Sequence, residues 1–266
     1  MRRKKTSSSG VSIVIPVSST KYIDYLANCF AALEAQKGCK DRIEVIVSIS
    51  YCKESSEYPV QVDPFVSLAY QYDHVFGFSL VMVEHDLPEF PVALARNAGA
   101  RRAQRRIVGF VDADIVLHPG TLRAVRKIIG DEEKAAYSPV HRMRQGPQSP
   151  IYEQFEVSDF VENRKNGSID AAAKGGCFFI ERDLLFEMRG YDERLWGWGF
   201  EDDDMVRRLH MNKTPPVNLG DKGLAPMHQF HRHRGNYKRR WYKNKEIALN
   251  SDSMVRNKGS WGGLLD

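Results

Sequence analysis

The sequence predicts an α/β protein built on a doubly wound, mostly parallel central sheet with helices on both faces. Three observations carry this. The first half contains short β-branched runs that read as buried strands. Segments with apolar residues at helical spacing lie between them, and the two types alternate four times.

The first strand is VSIVIPV, Val11–Val17, which runs into Ser-Ser-Thr. Residues 22–36 follow as a helix, with Ile23, Leu26, Ala27, Phe30, Ala31 and Leu33 on one face and Gly38 as a stop. Residues 43–50 and 79–85 are the second and third strands. Residues 91–104 open with proline at a helix first turn, where its missing donor costs nothing. Residues 106–114 are the fourth strand and 119–129 the helix after it. The alternation then lapses: 135–143 and 175–182 read as strands, 152–163 as a helix and 201–211 as another. In sheets of this class ligands bind beyond the carboxyl ends of the strands, so the loops after Val17, Ser50 and Phe110 are the ones to watch.

Composition restricts the function classes. No run approaches the roughly 20 apolar residues that span a bilayer. The start, MRRKKTSSSG, reads as a disordered basic tail (1–10) rather than a signal sequence, which predicts a cytoplasmic protein. Its four cysteines lack paired metal spacing and read as reduced thiols. The net charge of +5 is concentrated in HQFHRHRGNYKRRWYKNK (228–245), a stretch suited to an anionic partner or a membrane surface. The organisation predicted is a catalytic domain over 11–235, with halves at about 11–118 and 119–235. A basic extension over 236–266 follows, its last residues loose.

Four constellations carry chemistry. In FVDADIVLHPG, Asp112 and Asp114 stand two apart at the end of a buried strand, where both carboxylates can converge on one hard divalent cation. The bland alternative is a pair of solvated acids. In APMHQFHRHRG, His228 ends an apolar run and suits a ligand completing that site. His231 and His233 are alternatives, either as a zinc cluster with it or as surface residues. Arg96, in an Ala-rich helix, either reaches the nucleotide, orients the acids or is solvated. Finally, WGWGFEDDD sets Trp196 and Trp198 among glycines and before four carboxylates. Aromatic faces suit the C–H face of a pyranose, and carboxylates accept from its hydroxyls, although acids also suit a helix first turn.

Together these residues resemble the GT-A fold glycosyltransferases, over most of the chain from Ser12 to His231. The segment KGGCFFIERDLLFEMRGYDERLWGWGFEDDDMVRRL resembles one shared by inverting family-2-like enzymes and the β-1,4-galactosyltransferase group, whose WGWGGEDDD differs here only at Phe200. The resemblance implies a GT-A fold and inverting transfer of a hexose or N-acetylhexosamine from a UDP-sugar to a carbohydrate or glycoconjugate acceptor. It implies Mn²⁺, with Mg²⁺ as the substitute. By position, Asp112, Asp114 and His228 hold the metal, with His231 the alternative to His228. Pro16, Ser18, Arg96, Asp112 and Ala113 meet the donor nucleotide. Gly175, Gly176, Trp196, Trp198, Gly199 and Glu201 meet the sugars, and Asp202 is the general base, its pKa raised by its acidic neighbours. Nucleic acid is not an expected partner. The competing class is a non-catalytic carbohydrate- or nucleic-acid-binding module on the same fold. Two positions depart from the family pattern: the loop after the second strand, SISYCKESS, lacks an aspartate, and Phe200 replaces a glycine beside the base, where it is expected to narrow the pocket.

Overall fold

The computed structural model describes residues 9–18, 22–38, 43–52, 54, 61–131, 133–143, 167–170, 174–231 and 240–265. The basic tail up to residue 8, the expected helix at 152–163, His233 and most of the loop after the second strand lie outside them.

The central sheet has seven strands in the order β10-β6-β9-β4-β1-β2-β3. Strands β1 (Val11–Val17), β2 (Ile43–Tyr51), β3 (Gly77–Glu84) and β4 (Ile107–Val111) are mutually parallel. β9 (Cys177–Glu181) runs antiparallel between β4 and β6 (Ala135–Tyr137), and β10 (Val217–Asn218) pairs parallel with β6. All seven residues of β1 are buried, because both faces are covered. Side chains alternate across a strand, so Ile13 and Ile15 face one core while Val14 faces the other.

The first core joins β1 and β2 to α1 (Ile23–Glu34), α2 (Asp63–Gln71) and α4 (Thr121–Ile128) through Phe30, Phe65 and Leu122. The second takes α3 (Val92–Arg102), α5 (Arg182–Glu187) and α6 (Glu201–Met211) through Ala93, Leu185 and Met205. A Cβ on Gly99 would lie 2.4 Å from Val14 Cγ1, so the glycine lets α3 lie directly on β1.

Two expectations are corrected. The single strand at 135–143 is two: Ser138 and Pro139 break it, and β7 (Val140–Met143) joins a second sheet. That sheet has the order β5-β11-β7-β8, with β5 Ile115–Val116, β8 Gly167–Asp170 and β11 Met227–His228. Nor do the last residues trail loosely. After α7 (Trp241–Leu249) the chain returns to the second core, where Trp261 is 2% exposed and meets Phe186 edge-on at 5.0 Å. The hairpin β12 (Ser260–Trp261) and β13 (Leu264–Leu265) closes there.

Candidate active site

β4 ends at Val111, and Asp112 still donates its backbone N–H to Gly176 O (3.1 Å). Three residues later β5 begins, pairing antiparallel with β11 so that Ile115 lies opposite His228. Gln229 N–H donates to Asp114 O at 2.9 Å. This second sheet brings the histidines to the aspartate: His231 Nε2 is 2.9 Å and His228 Nε2 3.5 Å from Asp114 Oδ2. One ligand atom from each of the three lies within 4.8 Å of the others. His228 Nδ1 is 2.9 Å from Gln229 O, which makes it the N–H nitrogen and leaves the Nε2 lone pair facing inward. Burial pushes the Asp114 carboxyl upward, but the hydrogen bond from His231 and the charges of both histidines bring it below its ordinary value. Its Oδ1 is buried without a hydrogen-bond partner among the described residues.

One carboxylate, with its second oxygen orphaned, and two imidazoles form a donor set that fits a divalent first-row cation. The sequence signal ranked His228 ahead of His231, whereas the geometry brings both to Asp114. Arg142 escaped sequence reading. Its Nε donates to Asp170 Oδ2 (2.7 Å), and its Nη1 sits 3.5 Å from His228 Nε2. Only pairing of β7 with β11 and β8 creates that proximity.

Asp112 is held elsewhere, by Arg96. This arginine is 1% exposed, donates from Nη2 to Asp112 Oδ1 (2.9 Å) and Gly175 O (3.0 Å), and reaches Glu201 Oε1 from Nη1 (3.4 Å). Burial opposes its charge, yet Asp112, with Glu201 in support, holds the guanidinium protonated, above its ordinary value. Arg96 is thus not a solvated helix arginine but is buried against the acids.

Glu201 and Asp202 open α6. Asp202 Oδ2 accepts from Gly175 N (3.0 Å) and Lys174 N (3.3 Å), and Oδ1 from Asp203 N (2.9 Å). Burial first, then the Asp203 charge, raises its pKa above the usual carboxylate value. Burial and the Asp202 charge together push Glu201 up to about 7. The glycine pair spans the two ends of the site. A Cβ on Gly175 would lie 3.1 Å from Asp202 Cβ, and one on Gly176 3.4 Å from Asp112 Oδ2. Asp203 pairs with Lys174 Nζ at 2.8 Å. Asp204 is no mere helix-start charge: it is fully buried, bound by Arg208 Nε and Arg256 Nη2 at 2.7 Å each.

The tryptophan loop precedes α6. Trp198 is 47% exposed, and the Arg240 guanidinium lies 3.8 Å over the Trp196 ring. Gly197 and Gly199 both have positive φ, and so does Phe200 (φ +73°), which explains why a glycine would serve at that position. Phe200 does not stand free in the pocket: its ring meets Trp241 of α7 at 5.0 Å. Pro16 lies within β1, opposite Ser48. Ser18 follows the strand, and Ala113 is buried between the two aspartates.

The fold and this site define a class: the chain has the GT-A glycosyltransferase fold. Its alignments with known proteins agree. The profile described as "Glycosyl transferase family 2" matches residues 84–188, and that described as "N-terminal domain of galactosyltransferase" matches 166–219. Human β-1,4-galactosyltransferase 3 is 30% identical over 91 residues, 33% of this chain and 20% of that protein, so the match spans a fifth of the relative's length. Among solved structures, S. aureus TarS 1–349 in complex with UDP superposes with TM-score 0.60 at 16% identity, over 92% of this chain and 67% of that one. The Pyrobaculum calidifontis mannosyltransferase PcManGT with GDP-Man and Mn²⁺ gives 0.56 at 17%, over 90% and 61%. The catalytic domain of Drosophila β-1,4-galactosyltransferase 7 with xylobiose gives 0.52 at 14%, over 97% and 84%. At these identities the structural likenesses establish the fold alone. Among the described residues no helix is long and apolar enough to cross a membrane.

Proposed function

We propose that this protein is an inverting, metal-dependent glycosyltransferase that moves a hexose or N-acetylhexosamine from a UDP-sugar to a hydroxyl of a carbohydrate acceptor. The observation that carries the reading is the glycine pair: Gly175 abuts Asp202, and Gly176 abuts Asp112. A carboxylate able to take a proton and the first aspartate of the D-x-D pair thus face each other across two residues without side chains. UDP and xylobiose in the TarS and Drosophila complexes support the donor and acceptor classes, and Mn²⁺ in the PcManGT complex supports the metal.

Asp114, His228 and His231 would hold the cation, and Asp112 would join them only by leaving Arg96. When bound, the metal would neutralise the diphosphate leaving group. The rest falls to the chain's own side chains. Asp202 is oriented by three backbone N–H groups, and its raised pKa improves it as an acceptor of the hydroxyl proton near neutral pH. Glu201, its carboxyl pushed up to about 7 by burial and the Asp202 charge, would bind sugar hydroxyls. Trp198 offers the platform for the acceptor ring, and Trp196, whose ring carries Arg240 on one face, walls the pocket beside it. Pro16, Ser18 and Ala113 lie along the strand ends where the nucleotide would sit.

The decisive experiment is a screen of UDP-sugars with Mn²⁺ for slow donor hydrolysis, followed by the same assay on Asp202→Asn. Transfer to an acceptor should fall about 10²–10⁴-fold, the usual contribution of general-base catalysis. Near-normal turnover of Asp202→Asn, or hydrolysis indifferent to chelation of the metal, would overturn the reading.

A further inference from the structure

The loop Trp196–Phe200 cannot hold itself. Gly197, Gly199 and Phe200 all take left-handed φ values (+72°, +97° and +73°), so the loop is not part of a helix or strand. The carbonyls of Trp196, Trp198 and Gly199 converge on a single donor, the side-chain amide of Asn244 in α7. Its Nδ2 lies 3.1 Å from Trp196 O, 3.4 Å from Trp198 O and 3.0 Å from Gly199 O.

The cost of this arrangement is visible. Asparagine is a poor residue for a helix interior, Asn244 is fully buried, and its Oδ1 has no partner among the described residues. A buried, half-satisfied amide is destabilising unless its donor serves a need. Asn244 and Ala248 are also the only fully buried residues of α7, so the helix is not held mainly by an apolar face. Besides the Trp241–Phe200 contact, polar bonds tie α7 down: Arg207 Nη1, from α6, donates to Ala248 O (2.6 Å) and Ser251 O (2.5 Å) at the end of α7. The ring of Trp241 closes the other side, 3.2 Å from where a Gly199 Cβ would stand.

We infer that α7 is a brace for the proposed sugar platform, and that Asn244 is its positioning residue, fixing Trp196 and Trp198 relative to Glu201 and Asp202 on α6. The purpose assigned to the loop rests on the proposed function; the mechanical role of Asn244 does not.

The test is amide hydrogen exchange by mass spectrometry on the full chain, read in peptides covering 194–200, where Gly197 N–H is bonded to Phe90 O (3.1 Å). Asn244→Ala should accelerate exchange there at least tenfold while β1 and β2 are unchanged. Asn244→Asp keeps the size but sets a carboxylate against three carbonyls. It should loosen the loop at pH 8 and recover protection towards pH 5, where a protonated carboxyl donates again, after correction for intrinsic exchange. Filling space alone would give no such recovery. Trp241→Leu removes the ring and keeps the amide, and should change loop exchange less than threefold. Acceleration spread evenly through the sheet overturns the inference. So does equal loop protection of Asn244→Asp at both pH values, or a larger effect from Trp241→Leu than from the Asn244 variants. If the wild type hydrolyses no UDP-sugar while the loop response stays local, the functional reading fails and the brace stands.

Discussion

Arg96 Nη2 and Asp112 Oδ1 lie 2.9 Å apart, and the same guanidinium reaches Glu201, so one buried cation holds acids from both halves of the site. Removing it would leave Asp112, Glu201 and Asp202 to repel one another, with solvent reaching Asp112 but little of it reaching Glu201. Because Asp112 is about a third exposed while Glu201 is buried, Arg96→Met should destabilise the fold by about 1–3 kcal/mol, less than breaking a fully buried charge pair. It should also raise the Glu201 pKa further. Chemical denaturation checks the first effect and carboxyl NMR titration the second. Arg96→Met at wild-type stability would show that the acids do not depend on this cation.

Glu201 supplies a pH signature. Its folded pKa of about 7 lies above the unfolded value of 4.5, so the native state holds this proton more tightly. The stabilisation linked to that proton is complete below pH 4.5 and is lost as pH rises through 7. Glu201→Gln cannot lose it. The variant should match wild type near pH 4.5 and exceed it at pH 8 by on the order of 1–3 kcal/mol, one unit being about 1.4 kcal/mol. A constant difference across this range in urea melts would remove Glu201 as its source.

At residue 200 the usual ranking of alanine over glycine should invert. Phe200 has φ +73°, where an L side chain costs roughly 1–2 kcal/mol. Phe200→Ala keeps that strain and loses the contact with Trp241, whereas Phe200→Gly loses the contact and the strain together. Thermal melts should place the glycine variant about 1 kcal/mol above the alanine variant. Alanine equal to or above glycine would mean that the left-handed backbone is not retained.

The Asp114 site should bind Mn²⁺ without donor. Asp114→Asn and His231→Ala should each weaken binding at least tenfold by calorimetry. Arg142→Gln, which removes the cation 3.5 Å from His228 Nε2, should strengthen it. Weaker binding by Arg142→Gln would contradict the placement of that charge beside the ligand nitrogen.

Much of this was legible in the sequence where local pattern and tertiary role coincide. Val11–Val17 is buried on both faces and reads as such, and Glu201–Met211 begins and ends where its pattern says. α2 was missed because Phe65, Leu68 and Ala69 bury too short a stripe to stand out, although Pro64 in its first turn was a usable signal. α7 was missed because its inward face is an asparagine, which no hydrophobic period reveals. The metal-site geometry was half legible. The D-x-D spacing marks the acids, but the pull of Arg96 on Asp112 and the pairing of β11 with β5 depend on contacts between distant residues. The same holds for Asp204, whose partner Arg256 lies 52 residues away.

The return of the chain past residue 240 has a consequence for how the molecule is made. During synthesis the central sheet through β9 can assemble while later residues are still in the ribosome. The tryptophan loop has to wait for Asn244, and Asp204 for Arg256. The tryptophan loop and the Asp204 anchor are therefore the last to settle, and a nascent chain halted before α7 would have the sheet and both aspartates without a fixed place for a sugar ring.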